Sequence, residues 1–198
     1  MLSLSYSLIL GGCGLGAGMA MIAGIGAGIG EGNAVGRACS AIAENPEMKG
    51  SVTTTMLMGC AISETCGLFA LVIAILLLFV APGVLTGTLN TALADMAMNI
   101  EMLPLAISLT LSGCALGAGM AMIGGMGPSI GEGNAVGRAC EAISNNPSTQ
   151  GPVTTTMLMG CAVAETTGLY ALVIAILLIF VAPNILLGIM KATLLAAL

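Results

Sequence analysis

Four long apolar runs, interrupted at fixed places by a few polar residues, organise this chain. They cover roughly residues 7–40, 52–81, 105–141 and 153–187. A membrane-crossing helix needs about 20 consecutive apolar residues, so the pattern predicts four transmembrane helices. The runs exceed that minimum, and the helices are expected to extend past the hydrocarbon. Two short segments, Glu44-Asn45-Pro46-Glu47-Met48-Lys49-Gly50 and Asn145-Asn146-Pro147-Ser148-Thr149-Gln150-Gly151, carry the Pro, Gly and Asn of tight connections. The expected fold class is an all-α membrane protein, with four transmembrane helices arranged as two tandem helical hairpins. Their expected bounds are 1–81 and 105–198, with an extracytoplasmic linker over 82–104.

The two hairpins are copies of one unit. Ile29 to Cys39 recurs letter for letter as Ile130 to Cys140, Val52 to Ala61 as Val153 to Ala162, and Ala70 to Leu77 as Ala171 to Leu178. The offset never changes, so nothing is inserted between matching positions, and the repeat defines the architecture.

Composition sets the solvent. Of 198 residues, 58% are hydrophobic and 7% charged, with mean hydropathy +1.10. Soluble domains carry about 25% charged residues, so this surface is matched to lipid. A net charge of -5, no His, no Trp and no Lys/Arg cluster exclude a nucleic-acid partner. The N-terminus lacks the positive region of a secretory signal, so the first apolar run is read as mature protein. Arg37, Lys49 and Arg138 lie toward the hairpin turns, whereas 82–104 holds Asp95 and Glu101 and no Lys or Arg. By the positive-inside rule the turns face the cytoplasm and both termini face outward, in a multi-pass cell-membrane protein; Lys191 alone opposes this. The seven cysteines form no CxxC pair and mostly sit in apolar runs, where they read as small packing residues rather than disulfides or metal ligands.

Glycine predicts how the helices pack. Gly24, Gly28, Gly32 and Gly36 recur every fourth residue and share one helical face. Small residues so spaced let membrane helices approach closely, as for a helix crowded by identical neighbours. A phosphate-cradling loop is excluded by the missing strand and the missing Walker-type lysine.

The chemistry lies in four carboxylates. Glu64 and Glu165 each precede an apolar run, and an acid inside a membrane helix costs about 2.5–3.5 kcal/mol on insertion scales. Glu31 stands as far before the first turn as Glu64 stands after it, and Glu132 and Glu165 repeat the relation. Antiparallel helices place each pair at one depth, about 25 Å from the turn at 1.5 Å per residue. Two carboxylates there cannot both stay ionised without a cation. The natural occupants are one retained proton with one monovalent cation, or protons alone. Hydroxyls at Ser63, Thr65, Thr166 and Thr167 offer the oxygen that suits a hard cation. The plainer alternative is two acids hydrogen-bonded to each other for structure.

The glycine ladder through Gly30-Glu31-Gly32, the Asn45-Pro46 turn and Glu64-Thr65-Cys66-Gly67-Leu68-Phe69, with their second copies through Gly131-Glu132-Gly133 and Glu165-Thr166-Thr167-Gly168-Leu169-Tyr170, resemble the rotor-ring c subunit (proteolipid) of rotary ATP synthases and ATPases. The resemblance covers nearly the whole chain except 82–104 and the ends. The wording is closer to F-type c subunits of sodium-dependent synthases, while duplication is the V-type habit. The resemblance implies a ring of identical subunits, a stator subunit with an arginine, central-stalk subunits at the turns, surrounding lipid, and Na+ (or H+) as cargo. It maps the ion-carrying glutamate onto Glu64 and Glu165 and a second ligand onto Glu31 and Glu132. A backbone carbonyl maps onto Ile62 and Val163, and a hydroxyl onto Thr65 and Thr166. A hydroxyl that holds a water maps onto Thr167, where the first copy has Cys66. A tyrosine that bonds the carboxylate maps onto Tyr170, where the first copy has Phe69. These groups come from adjacent hairpins, so each site is expected to mix the repeats. The turns depart from the family's Arg-Gln-Pro. The implied role is that of a non-catalytic component coupling ion flow to ATP synthesis or hydrolysis. A proton-specific ring, a small secondary transporter and a structural membrane scaffold are the competing readings.

Overall fold

The computed structural model describes residues 2–96 and 102–197. Among these there is no strand. The helices are α1 (Leu2–Ala20), α2 (Ala23–Glu44), α3 (Lys49–Ser63), α4 (Thr65–Ile75), α5 (Ala81–Met96), α6 (Leu103–Met122), α7 (Met126–Asn145), α8 (Gln150–Phe180) and α9 (Ala182–Ala197). They make four stretches long and apolar enough to cross a membrane: Leu2–Glu44, Pro46–Asp95, Leu103–Asn145 and Pro147–Phe180. The chain is thus all-helical with four membrane-length helices, as the apolar runs predict.

The boundaries follow local chemistry. Asn45 and Asn146 take the same extended backbone (φ -138 and -139°), and Pro46 and Pro147 each open a 3-10 turn. A proline preset to φ near -65° and lacking an N–H suits the first turn of the helix that follows. A five-residue π turn over Leu76–Val80 precedes Pro82, where proline removes a donor from the ladder.

Residues 22–70 and 124–171 form one compact unit. Here α2 runs along α7, and α3 packs against both. The two first helices are parallel and nearly level. Asn33 Nδ2 donates to Asn134 Oδ1 at 3.2 Å, and Ser144 Oγ donates to the Ala41 carbonyl at 2.7 Å. Their backbones touch at glycine: a Cβ at Gly133 would collide with Gly30, one at Gly30 with Ser129, and one at Gly26 with Met126. The apolar centre is small-residue rich, with Ala34, Ala38, Val136 and Cys140 buried around Val52 of α3. The expected face packs in the second repeat, where Gly133 and Gly137 meet Gly30 and Arg37, and it is left open in the first. Gly24, Gly28, Gly32 and Gly36 meet nothing within 4 Å. Gly26 and Gly30, half a turn away, carry the contact.

Residues 1–21, 71–123 and 172–198 form a second unit. Here α1 runs along α6, with Gly16 against Ala115 and Gly119. α5 packs on both, and Tyr6 Oη donates to Asn90 Oδ1 at 2.6 Å. The stretch 82–104, expected to link the hairpins, is helical for most of its length. Leu85, Leu89 and Ala92 recur on one face and are buried, which is why the helix continues to Met96. Asp95 is exposed on that helix; Glu101 lies outside the described residues.

These contacts make a prediction. Gly133→Val places branched carbon against the Gly30 backbone, which has no rotamer to yield, and should cost at least the ~1–3 kcal/mol of an overpacked core. Gly50→Ala, in open space on a helix, should be neutral or up to about 1 kcal/mol stabilising. Unfolding of the purified chain by detergent titration, followed by circular dichroism, separates the two.

Candidate ion site

The structure brings the carboxylates together in pairs. Glu31 lies within electrostatic reach of Glu64, and Glu132 within reach of Glu165. The turn geometry is the cause: each pair is symmetric about a point within its own turn segment, 44–50 or 145–151.

Glu132 is the most confined of the four. It is 1% exposed, and neither of its carboxylate oxygens has a hydrogen-bond partner among the described residues. Buried polar atoms are nearly always paired, so two orphaned acceptors on one carboxyl mark a place where a proton or a cation belongs. Beside it, Glu165 is half-buried and accepts a hydrogen bond on Oε1 from Thr65 Oγ1. The same hydroxyl oxygen lies 2.7 Å from the Ile62 carbonyl. The helical spacing of three makes this local pair: a threonine folds its hydroxyl back onto the carbonyl one turn earlier. Thr65 and Ile62 come from the first repeat, Glu132 and Glu165 from the second. The site mixes the repeats within one chain.

The second repeat builds the same local pair with nothing opposite it. Thr166 Oγ1 donates to the Val163 carbonyl at 2.8 Å, and Val163 is 72% exposed. On the opposite flank Glu64 is exposed and Glu31 half-buried. One set of groups is thus assembled, and its counterpart exists as two halves on open surfaces.

Three of the hydroxyl-bearing residues make no bond to Glu132 or Glu165. Ser63 is buried and its hydroxyl donates to the Ser129 carbonyl at 2.8 Å, so it ties α3 to α7. Tyr170 is 66% exposed and makes no hydrogen bond among the described residues. Thr167 is exposed and donates to the Ala164 carbonyl at 3.1 Å. Cys66, by contrast, is fully buried within reach of Glu132 and Glu165. Cys66 follows Glu64 in sequence and lies near the other repeat's acids in space.

Arg37 Nη1 meets Glu141 Oε1 at 2.8 Å, and Arg138 lies 3.5 Å from the same carboxylate. Glu141 has no acidic counterpart in the first repeat, where Ser40 stands. It marks the seam inside the chain. Half-exposed pairs of this kind contribute about 1 kcal/mol or less.

Residues 15–77 and 116–178 each match the family model that describes the C subunit of ATP synthase. The ATP synthase c subunit of Natranaerobius thermophilus is 55% identical over 78 residues, which is 39% of this chain and 91% of that protein. That of Alkaliphilus oremlandii is 54% identical over 77 residues, 39% of this chain and 88% of that protein. Each relative thus corresponds to a single hairpin. The chain belongs to the ATP synthase c-subunit family as two tandem copies of the family's unit, an ion-carrying membrane component of the rotor that performs no bond chemistry itself.

Proposed function

We propose that identical copies of this chain close into a ring that carries sodium ions on its glutamates, each chain contributing two ion positions. The observation that carries this reading is Glu132, buried with both oxygens unpaired beside Glu165. A single proton satisfies one oxygen of such a pair. A sodium ion bridging the two carboxyls, with Thr65 Oγ1 and the Ile62 carbonyl as neutral oxygens, satisfies more of them and suits a hard cation. One proton retained on the pair leaves the loaded site neutral, which lets it pass lipid; an empty charged site cannot without a large penalty. A glutamate that opens toward a stator arginine releases its ion, takes another, and locks as the ring turns. The hairpin turns, with Arg37, Lys49 and Arg138 near them, face the cytoplasm and the central stalk.

Ring closure has its own support. The seam between the repeats is heterologous: Val136 of α7 presses on Gly59 of α3. The equivalent surfaces are both open. Val35 is 42% exposed, Gly160 meets nothing within 4 Å, and a groove of about 590 Å³ lies beside it, lined by Ala139, Val153, Thr156 and Met157. Heterologous surfaces that repeat at a constant rotation build a ring. The same step joins Glu31 and Glu64 of one copy to Val163 and Thr166 of the next. A scaffold would have no use for the glutamates, and a transporter built of inverted repeats would not have these parallel ones.

Sodium should protect Glu64 and Glu165 from carbodiimide, which attacks the protonated carboxyl; labelling indifferent to sodium at every pH means a proton ring instead. Glu132→Gln should keep sodium binding, since the amide supplies an oxygen, but flatten its dependence on pH by one titrating group. Glu165→Gln should abolish binding at that site. Sodium-22 binding to the purified ring across a pH series reads both. Gly160→Leu should fill the open groove and leave single chains where the unmodified protein forms large rings, as resolved by size and native mass spectrometry.

A further inference from the structure

Among the positions where the two repeats differ, Cys66 is the one buried beside the assembled carboxylates. Cys66 is 0% exposed and lies within electrostatic reach of Glu132 and Glu165. Its sulfur packs on Gly168, where a Cβ would collide with it. The counterpart of Cys66 is Thr167, whose hydroxyl stands on the open edge. Thr65 and Cys66 face the second repeat's acids. By the same relation, closure of the proposed ring would bring Thr166 and Thr167 of one copy to Glu31 and Glu64 of the next. The remaining thiols do not distinguish the sites, because Cys161 lies near Glu132 and Glu165 as Cys60 lies near Glu31.

We infer that Cys66 divides the ion positions of the ring into two classes of unequal sodium affinity, the weaker one lying inside each chain at Glu132 and Glu165. This rests on the sodium reading above. A hydroxyl offers a hard cation, or a water that binds it, a good oxygen. A thiol is a weak donor and a soft, weak acceptor. The departure is private to the first repeat, and its effect crosses to the second.

The test uses the purified ring. Carbodiimide labelling is titrated with sodium chloride at constant pH and read separately at Glu64 and Glu165 by mass spectrometry. Half-protection of Glu165 should need about fivefold more sodium than that of Glu64, the equivalent of one net hydrogen bond of about 1 kcal/mol. Cys66→Ser should lower the requirement at Glu165 and leave Glu64 alone. Thr167→Cys, at an exposed position, should raise it at Glu64 and leave Glu165 alone, and this arm decides the matter if the buried substitution prevents assembly. Coincident curves in the unmodified ring, or variants that act on the glutamate of their own repeat, overturn the inference while leaving sodium binding intact. Protection at neither glutamate overturns the sodium reading and this inference together.

Discussion

The contact of α2 with α7 at Gly30 and Gly133 governs the candidate ion site. Backbone meets backbone there, with no side chain between. Because the contact is parallel and nearly level, matching residues of the two repeats stand side by side. All four glutamates come from segments placed by this contact and by the two Asn-Pro turns. A hairpin alone pairs its own carboxylates. Only the seam between hairpins brings Thr65 and Ile62 to Glu165. The seam is sealed by short side chains because longer ones would hold the helices apart.

Duplication changes what such a seam is. With one hairpin per chain every seam would be the same. Here one seam lies inside the chain and the other is left open, and the sequence treats them differently. Glu141 bonds Arg37 across the internal seam, and Ser144 reaches the Ala41 carbonyl. Their counterparts, Ser40 and Ala43, offer neither bond to a neighbouring copy. Cys66 faces the internal carboxylates where Thr167 faces the open edge. The repeats have therefore drifted in features that meet at the seams, while Glu31 and Glu132, Glu64 and Glu165, and the turn prolines stayed the same.

Much of this was legible in the sequence. The apolar runs and the unvarying offset fix four helices in two hairpins, and the spacing about Asn45-Pro46 places Glu31 level with Glu64. Three things were not legible. The period of four in Gly24, Gly28, Gly32 and Gly36 identifies a packing face, but Gly26 and Gly30 form a second one, and periodicity cannot say which face meets which neighbour. The helix over 81–96 hides behind Pro82, Gly83 and Gly87, residues that read as punctuation, yet burial of Leu85 and Leu89 outweighs them. The destination of Ser63 is likewise a tertiary fact, since adjacent residues on a helix point about 100° apart.

The most direct measurement is a high-resolution map of the purified ring in sodium, compared with one in its absence. The account predicts two ion densities per chain at one depth. One should be bounded by Glu132, Glu165, Thr65 and the Ile62 carbonyl. The other should be bounded by Glu31 and Glu64 with Val163 and Thr166 of the adjoining copy. Density held within a single hairpin, or carboxylates turned to lipid with no density between repeats, would contradict it.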